Sequence, residues 1–253
     1  MPAAQSPPAV LAFAASDPTG GAGVQADLLT LAALGCHPLS VITALTAQDT
    51  QGVEAMLAVE PDWVSRQARR VLADIPVAAF KLGVLGSAAN AAAVAEIASA
   101  HPGVPLVLDP VLASGRGDSL AADDVLTALR RKVLPLATLA TPNVLEAERL
   151  GGVEAILAAG CRYVLVTGTH DDTPEVVNRL HDARGVVAEA RWRRLPGSYH
   201  GSGCTLASAV AAYLAHRKEM GEAVRLAQAF TWSALDSAFC PGSGQFIPRR
   251  PPA

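Results

Sequence analysis

Two glycine-rich motifs contain the residue types best suited to chemistry. The first spans residues 16–27 (SDPTGGAGVQAD) and the second spans residues 200–205 (HGSGCT). Each precedes an apolar stretch that predicts a helix, whose first N–H groups lack an internal partner and lie at the positive end of the dipole. The chain thus offers backbone donors for a phosphate, with a carboxylate for a polar substrate. This combination predicts phosphoryl transfer to a small molecule.

The second motif predicts both an anion hole and a base. Gly201, Ser202 and Gly203 precede the predicted helix, and glycine lets the backbone wrap closely around an anion. Cys204 lies in the first turn, where a helix N-terminus lowers the pKa of a thiol from about 8.5. We therefore expect a thiolate that could take the proton from an attacking hydroxyl. A glycine turn followed by a small buried cysteine is the alternative.

The first motif, with Gly21 in its loop, is not a Walker A sequence, because no Gly-Lys-Ser/Thr closes it. Asp27 falls about one turn into the following helix, where it could accept hydrogen bonds from an amino-substituted ring or a hydroxyl. An acid favoured by the helix dipole is the equal alternative. Gln48 follows an apolar run, and its amide suits a ring that presents an amino group beside a ring nitrogen. An ordinary loop glutamine is the alternative there.

Three further polar residues follow strand-like runs. Asp109 ends a buried strand, which is costly for an acid unless it is paired or placed at a site. Asn143 and Glu146 share one face of a short helix. They predict either a capping box or a pair that places Mg²⁺ through water. Arg116, in the loop after Asp109, could contact phosphates or point to solvent.

The elements that must position these residues alternate between strand-like and helix-like segments. This alternation predicts right-handed βαβ units around one mainly parallel sheet, with an antiparallel addition at residues 176–180 and 185–195. Ligands of such sheets bind at the carboxyl ends of the strands. Each apolar run is followed by polar or glycine residues. These residues are 20–23, Gln48, Gly83, Asp109, Asn143, Gly168 and 201–204.

Composition bounds the class of protein. The 253 residues are 51% hydrophobic and 4% aromatic, which predicts a large aliphatic core within a single domain over residues 1–253. The Pro-rich ends, 1–8 and 248–253, are expected to fray. A net charge of −3 argues against a nucleic-acid partner, and the basic cluster at 191–194 is interpreted as solvated surface. Four widely spaced cysteines, no signal peptide and no long apolar run predict a cytoplasmic chain without a membrane segment.

From about residue 10 to residue 239 the chain resembles the hydroxymethylpyrimidine/phosphomethylpyrimidine kinases of thiamine biosynthesis, within the ribokinase-like superfamily. The resemblance implies a three-layer α-β-α sandwich with a mainly parallel central sheet, ATP and Mg²⁺ as cofactors, and a homodimer. Pyridoxal kinase of the same superfamily and a non-catalytic pyrimidine-binding module are the alternative functions. The motifs that carry the resemblance lie at residues 16–28, 40–50, 81–85, 108–111, 141–147 and 201–204.

The resemblance also implies residue roles. Cys204 stands at the position of the proposed base, behind an anion hole formed by residues 201–203. Asp27 and Gln48, with Gly21, would bind the pyrimidine. The nucleotide and Mg²⁺ would be placed by Asp109, Asn143, Glu146 and Gly168, with Glu146 holding Mg²⁺ indirectly.

The chain departs from the family's usual pattern in three segments. Thr167 stands where the family often has a lysine that would contact nucleotide phosphates. Gly115 and Arg116 occupy a loop that often carries a lysine, and Ala15 replaces the usual glycine before Ser16. We expect these changes to affect nucleotide binding, with Arg116 as a candidate replacement for the missing charge.

Overall fold

A computed structural model describes residues 6–112, 122–169 and 173–252. The strands are β1 (Ala9–Ser16), β2 (His37–Gln48), β3 (Val53–Ala58), β4 (Val77–Leu82), β5 (Leu106–Leu108), β6 (Leu139–Ala140), β7 (Tyr163–Thr167), β8 (Glu175–Asp182) and β9 (Gly185–Arg193). The α-helices are α1 (Gly23–Ala33), α2 (Pro61–Leu72), α3 (Ala88–Ser99), α4 (Asp123–Ala128), α5 (Val144–Arg149), α6 (Val153–Ala158), α7 (Ser202–Ala215) and α8 (Met220–Asp236).

The strands form one sheet in the order β3-β2-β1-β4-β5-β6-β7-β8-β9. The pairs from β2 through β7 are parallel, while β3 at one edge and β8 and β9 at the other are antiparallel. The strand order reverses on either side of β1. Ligand crevices form at such a switch point, outside the carboxyl ends of the strands.

Helices cover both faces of the sheet, because alternate strand residues point to opposite sides. Phe13 and Phe80 pack with α2 and α3 on one face, while Val10 and Ala79 pack with α1 and α7 on the other. Both clusters are largely aliphatic, in keeping with the low aromatic content. The predicted three-layer α-β-α sandwich with a mainly parallel sheet is confirmed.

Strands β3, β5 and β6 and the helix α4 differ from what the sequence predicts. β3 was not predicted, because only one side of this edge strand pairs and its residues show no regular alternation of burial. β5 and β6 are shorter than the apolar runs that contain them, since the chain turns away to form the edge of a cavity. The helix α4 continues into a π-helical turn (Leu129–Val133).

The C-terminal segment is not frayed as far as residue 250, which corrects the expectation for residues 248–253. Phe239 and Ile247 form a β-bridge, and the Arg249 N–H donates to the Ala234 carbonyl over 3.0 Å. The Arg250 guanidinium donates to the Thr205 hydroxyl over 3.0 Å. At the other end, the Pro8 carbonyl accepts from the His37 N–H. No helix among the described residues is long and apolar enough to cross a membrane.

Candidate active site

A cavity of about 860 Å³ opens at the carboxyl ends of the parallel strands, beside the β1–β4 switch point. The fold brings together there residues that are far apart in the sequence. Its wall includes Asp17, Gln48, Lys81, Asp109, Thr141, Asn143, Glu146, Thr167, Arg194, His200, Ser202, Gly203 and Cys204. The cavity therefore contains most of the predicted site residues.

The predicted anion hole lies at the N-terminus of α7, where Gly201 adopts a left-handed conformation with φ of 79°. A side chain at Gly201 would overlap the Gly21 carbonyl oxygen, so the two glycine loops meet directly. A Cβ atom at Gly203 would lie 3.5 Å from Asp109 Oδ1. These glycines allow the start of a 14-residue helix to approach both the first motif and Asp109.

A buried charge cluster forms the floor below this helix. Lys81 Nζ lies 2.8 Å from Asp27 Oδ1 and 3.8 Å from Asp109 Oδ2. The Ser208 hydroxyl also donates to Asp27 Oδ1 over 2.8 Å. Burial alone would lower the pKa of Lys81, but Asp27, Cys204 and Asp109 raise it above its usual value. Lys81 is therefore a permanent cation under the cavity, and its role was missed because only the fold brings it to Asp27.

The position of Asp27 corrects the expected direct contact with substrate. Asp27 is fully buried, and Lys81 and Ser208 occupy its carboxylate oxygens. Asp27 is thus the counter-ion of Lys81. Gly21 likewise lies behind the cavity wall, where a side chain would collide with the His200 ring. The lack of a side chain at Gly21 therefore lets the two glycine motifs pack together.

The acidity expected of Cys204 is also corrected. Burial raises the pKa of this thiol to about 12, and Asp109 and Asp27 add to that rise against the lowering effect of Lys81. Cys204 lies within the first turn of α7 as expected, but nearby carboxylates and the low dielectric outweigh the helix dipole. Without ligand the side chain is a neutral thiol at neutral pH.

An Asp17–His200 pair, which the sequence interpretation did not identify, joins the two glycine motifs. His200 Nε2 lies 2.8 Å from Asp17 Oδ2, and the same carboxylate accepts from the Thr19 and Ala22 N–H groups. Burial alone would raise the pKa of Asp17, but the hydrogen bonds from His200, Ala22 and Thr19 lower it to about 2. Both residues lie inside the quoted motifs, yet their partnership spans 183 residues.

Asn143 and Glu146 form the predicted capping box at the start of α5. The Asn143 side chain accepts from the Glu146 N–H, and Glu146 Oε2 accepts from the Asn143 N–H, both over 2.9 Å. Both residues also line the cavity. Burial raises the pKa of Glu146 to about 7, and the charge of Asp109 acts in the same direction.

Gly168 lies beside the cavity rather than in its wall, between Thr167 and Thr169, which do line it. Its N–H donates to Asn178 Oδ1 over 3.2 Å. The guanidinium of Arg194 donates to the Gly168 and Thr169 carbonyls over 3.2 and 2.8 Å. Arg194 therefore places a cation on the cavity wall near Thr167, in contrast to the expected solvated cluster.

Gln48 lies at the end of β2 and lines the cavity at its rim. Its backbone pairs with Val53 of β3, which fixes the strand end. Its side chain is partly exposed. Arg116 and Gly115 lie outside the described residues, so the structure does not address their expected role.

The amino-acid sequence matches a known family over most of its length. The family described as phosphomethylpyrimidine kinase matches residues 17–248. The hydroxymethylpyrimidine/phosphomethylpyrimidine kinase of Streptomyces coelicolor is 42% identical over 255 residues, covering 94% of this chain and 93% of the relative.

Two solved structures share the fold. An ADP complex of Bacillus subtilis pyridoxal kinase has a TM-score of 0.89 at 28% identity and covers 97% of this chain and 98% of its own. Phosphomethylpyrimidine kinase from Clostridium difficile has a TM-score of 0.78 at 35% identity, covering 90% of this chain and 99% of its own. With the sequence match over residues 17–248, these findings show that the chain belongs to the phosphomethylpyrimidine kinase family.

Proposed function

We propose that this protein transfers the γ-phosphoryl group of ATP to 4-amino-5-hydroxymethyl-2-methylpyrimidine and then phosphorylates the resulting monophosphate, in thiamine pyrophosphate biosynthesis. The observation that carries the proposal is the convergence of Lys81, Asp109 and Cys204 at the start of α7. Phosphoryl transfer asks a protein mainly for positioning and charge stabilisation. A buried lysine below a glycine-rich helix N-terminus supplies both.

The residues present fit a nucleotide with Mg²⁺. Asp109 Oδ2 is buried without a hydrogen-bond partner among the described residues, and Glu146 lies on the same cavity wall. Carboxylate oxygens suit Mg²⁺, which keeps several waters and bridges phosphate oxygens. The described part of the chain holds no cluster of three or more His, Cys, Asp or Glu fit for a metal ion. We therefore propose that Asp109 and Glu146 hold Mg²⁺ through water, where it would neutralise charge on the phosphates.

In this proposal the protein's own groups handle the substrate proton and the developing charge. Cys204 receives the proton of the attacking hydroxyl as a thiolate, so its own proton must first pass to solvent. The positive charge of Lys81 lowers the pKa of the thiol and so favours the thiolate. The N–H groups of residues 201–203 and the charge of Lys81 stabilise the transferring phosphoryl group.

The raised pKa of Glu146 predicts a pH-dependent nucleotide step. Below pH 7 Glu146 is mostly neutral, so kcat/KM for MgATP should rise with pH and level off above about 7. One pH unit below this pKa, about a tenth of the carboxylate is ionised, so we expect a roughly 10-fold loss at pH 6. Steady-state kinetics from pH 5.5 to 9 measure this limb.

Glu146→Gln is the matched control, because its amide oxygen can still accept from the Asn143 N–H. We expect this variant to have low activity and to lose the acid limb. An unchanged profile in the variant would assign the pH dependence to another group.

We propose that the side-chain amide of Gln48 forms hydrogen bonds with the edge of the pyrimidine ring. Gln48→Leu removes both hydrogen-bonding groups, so we expect kcat/KM for hydroxymethylpyrimidine to fall roughly 30- to 100-fold. The KM for ATP should change less than 3-fold, since Gln48 lies at the rim distant in the sheet from β7. Gln48→Glu tests whether acceptance alone suffices. Equal losses for both substrates would place Gln48 outside the pyrimidine site.

Pyridoxal kinase is the second candidate, because the TM-score of 0.89 is with a pyridoxal kinase. The higher sequence identities, 35% and 42%, are with pyrimidine kinases. Measuring kcat/KM for hydroxymethylpyrimidine and pyridoxal with the same enzyme separates the two. We expect the pyrimidine to be preferred, and a dominant value for pyridoxal would overturn the assignment.

We further propose one domain over residues 1–253, a homodimer and a cytoplasmic location. Leu45 and Leu57 are cross-strand partners at the sheet edge and are 49% and 67% exposed, which supports a self-association face. The four cysteines are free thiols, as in a reducing compartment. Light scattering on the purified protein measures the oligomeric state.

A further inference from the structure

The C-terminal tail ends against the back of the predicted anion hole. Arg250 Nε donates to Thr205 Oγ1 over 3.0 Å, and Arg250 Nη2 donates to the Gly21 carbonyl over 2.6 Å. Thr205 in turn donates to the Gly201 carbonyl over 2.8 Å. One guanidinium therefore binds a residue of each glycine motif, and the fork geometry of arginine fixes both directions.

The path of the tail brings Arg250 there along the cavity. The Gln245 N–H donates to the Thr50 carbonyl, and its side chain donates to the Ser198 hydroxyl over 2.7 Å. The Phe246 carbonyl accepts from the His200 N–H over 2.8 Å. The tail thus joins the loop after β2, the segment before α7 and the first motif, in that order.

The charges around the site show what Arg250 adds. Asp17, Asp27 and Asp109 are buried acids at or below the cavity, and Lys81 is the cation that contacts two of them. Arg250 interacts electrostatically with Cys204, Asp27 and Asp17. With Lys81 as the one cation beside these three acids, the net charge below the cavity would be negative and would repel a polyphosphate. The Arg250 guanidinium stays charged when buried, so it offsets the negative charge of a second carboxylate.

We propose that Arg250 is a positioning residue of the phosphate site, which ties Gly21 to the first turn of α7 and supplies the second cation behind the anion hole. This inference rests on the proposed kinase function. It assigns a role to a tail residue outside the family match, which ends at residue 248.

Arg250→Gln tests the proposal, with Arg249→Gln as a matched control. Arg249 is the adjacent exposed arginine, so both variants lose the same charge from the same segment. We expect Arg250→Gln to lower kcat and weaken ATP binding by roughly 10- to 50-fold, with the KM for the pyrimidine within about 3-fold. Arg249→Gln should resemble wild type.

Arg250→Lys separates charge from mere filling of space. It keeps the cation without the fork, so we expect it to recover at least half of the loss on a logarithmic scale. Equal activity of Arg250→Gln and Arg249→Gln would overturn the proposal, as would a folded Arg250→Lys no better than Arg250→Gln. If Arg250→Gln does not fold, kcat and ATP binding of Arg250→Lys are compared with those of wild type. A partial loss in both supports the proposal, and no loss in either overturns the role of the guanidinium fork.

Failure of the kinase assignment would give a different result. Titration calorimetry with ATP alone, without acceptor, measures the phosphate site directly. A wild-type protein that forms no product but binds ATP more tightly than Arg250→Gln would contradict the proposed substrate and support Arg250. Equal ATP affinity in both proteins would overturn the role of Arg250 whatever the acceptor.

Discussion

Replacing Cys204 by alanine is expected to lower kcat by roughly 10²- to 10⁴-fold, the range typical of a lost proton-transfer group. The KM values should change little, because the anion hole is made by backbone groups of residues 201–203. The fold should persist, since the change removes one sulfur atom from a small side chain in the first turn of α7. Steady-state kinetics and thermal unfolding measure the two effects.

Cys240→Ala is the matched control for this prediction. Cys240 is exposed, far along the chain from α7, and hydrogen-bonded only to the nearby Gly242 and Gly244 carbonyls among the described residues. We expect it to retain full activity. A Cys204→Ala variant with near-normal kcat would remove the thiol from the mechanism and leave positioning and charge as the sole sources of catalysis.

Replacing Lys81 by methionine is expected to cost both stability and activity. The substitution keeps the volume but leaves Asp27 buried without its counter-ion, which costs about 3–5 kcal/mol of unfolding free energy. For a chain of this length the melting temperature should fall by roughly 10 °C. The kcat should fall about 100-fold, because the cation below the anion hole is lost.

The double variant Lys81→Met/Asp27→Asn separates these effects. Both partners of the ion pair are then neutral at nearly unchanged volume, and the amide oxygen can still accept from the Ser208 hydroxyl. We therefore expect the melting temperature to return to within a few degrees of wild type while kcat stays low. Recovery of activity with stability would show that Lys81 serves the fold alone.

The sequence was sufficient to predict the layered fold and the edge of the sheet at which the cavity opens. Strand-like runs ending in polar residues indicate that edge directly, and Cys204, Asp109 and Glu146 do meet in one cavity. The capping box at Asn143 was one of two alternatives that the spacing of Asn143 and Glu146 offered, and the structure contains it. Such local patterns depend on neighbouring residues, so they can be interpreted without the tertiary structure.

Interactions between distant segments could not be predicted in this way. Lys81 meets Asp27 across 54 residues, and Arg250 meets Gly21 across 229. The pKa of Cys204 depends on Asp27 in α1 and on Asp109 after β5. The helix dipole alone therefore predicts a pKa shift in the wrong direction. The Pro-rich composition of the tail likewise does not reveal that Arg250 is anchored.

Mass spectrometry of the products that purified protein forms from Mg²⁺-ATP and hydroxymethylpyrimidine tests the kinase assignment most directly. We expect the pyrimidine monophosphate first and the diphosphate later, both dependent on Cys204. A folded protein that forms neither product, and consumes no ATP with this alcohol, would contradict the kinase assignment.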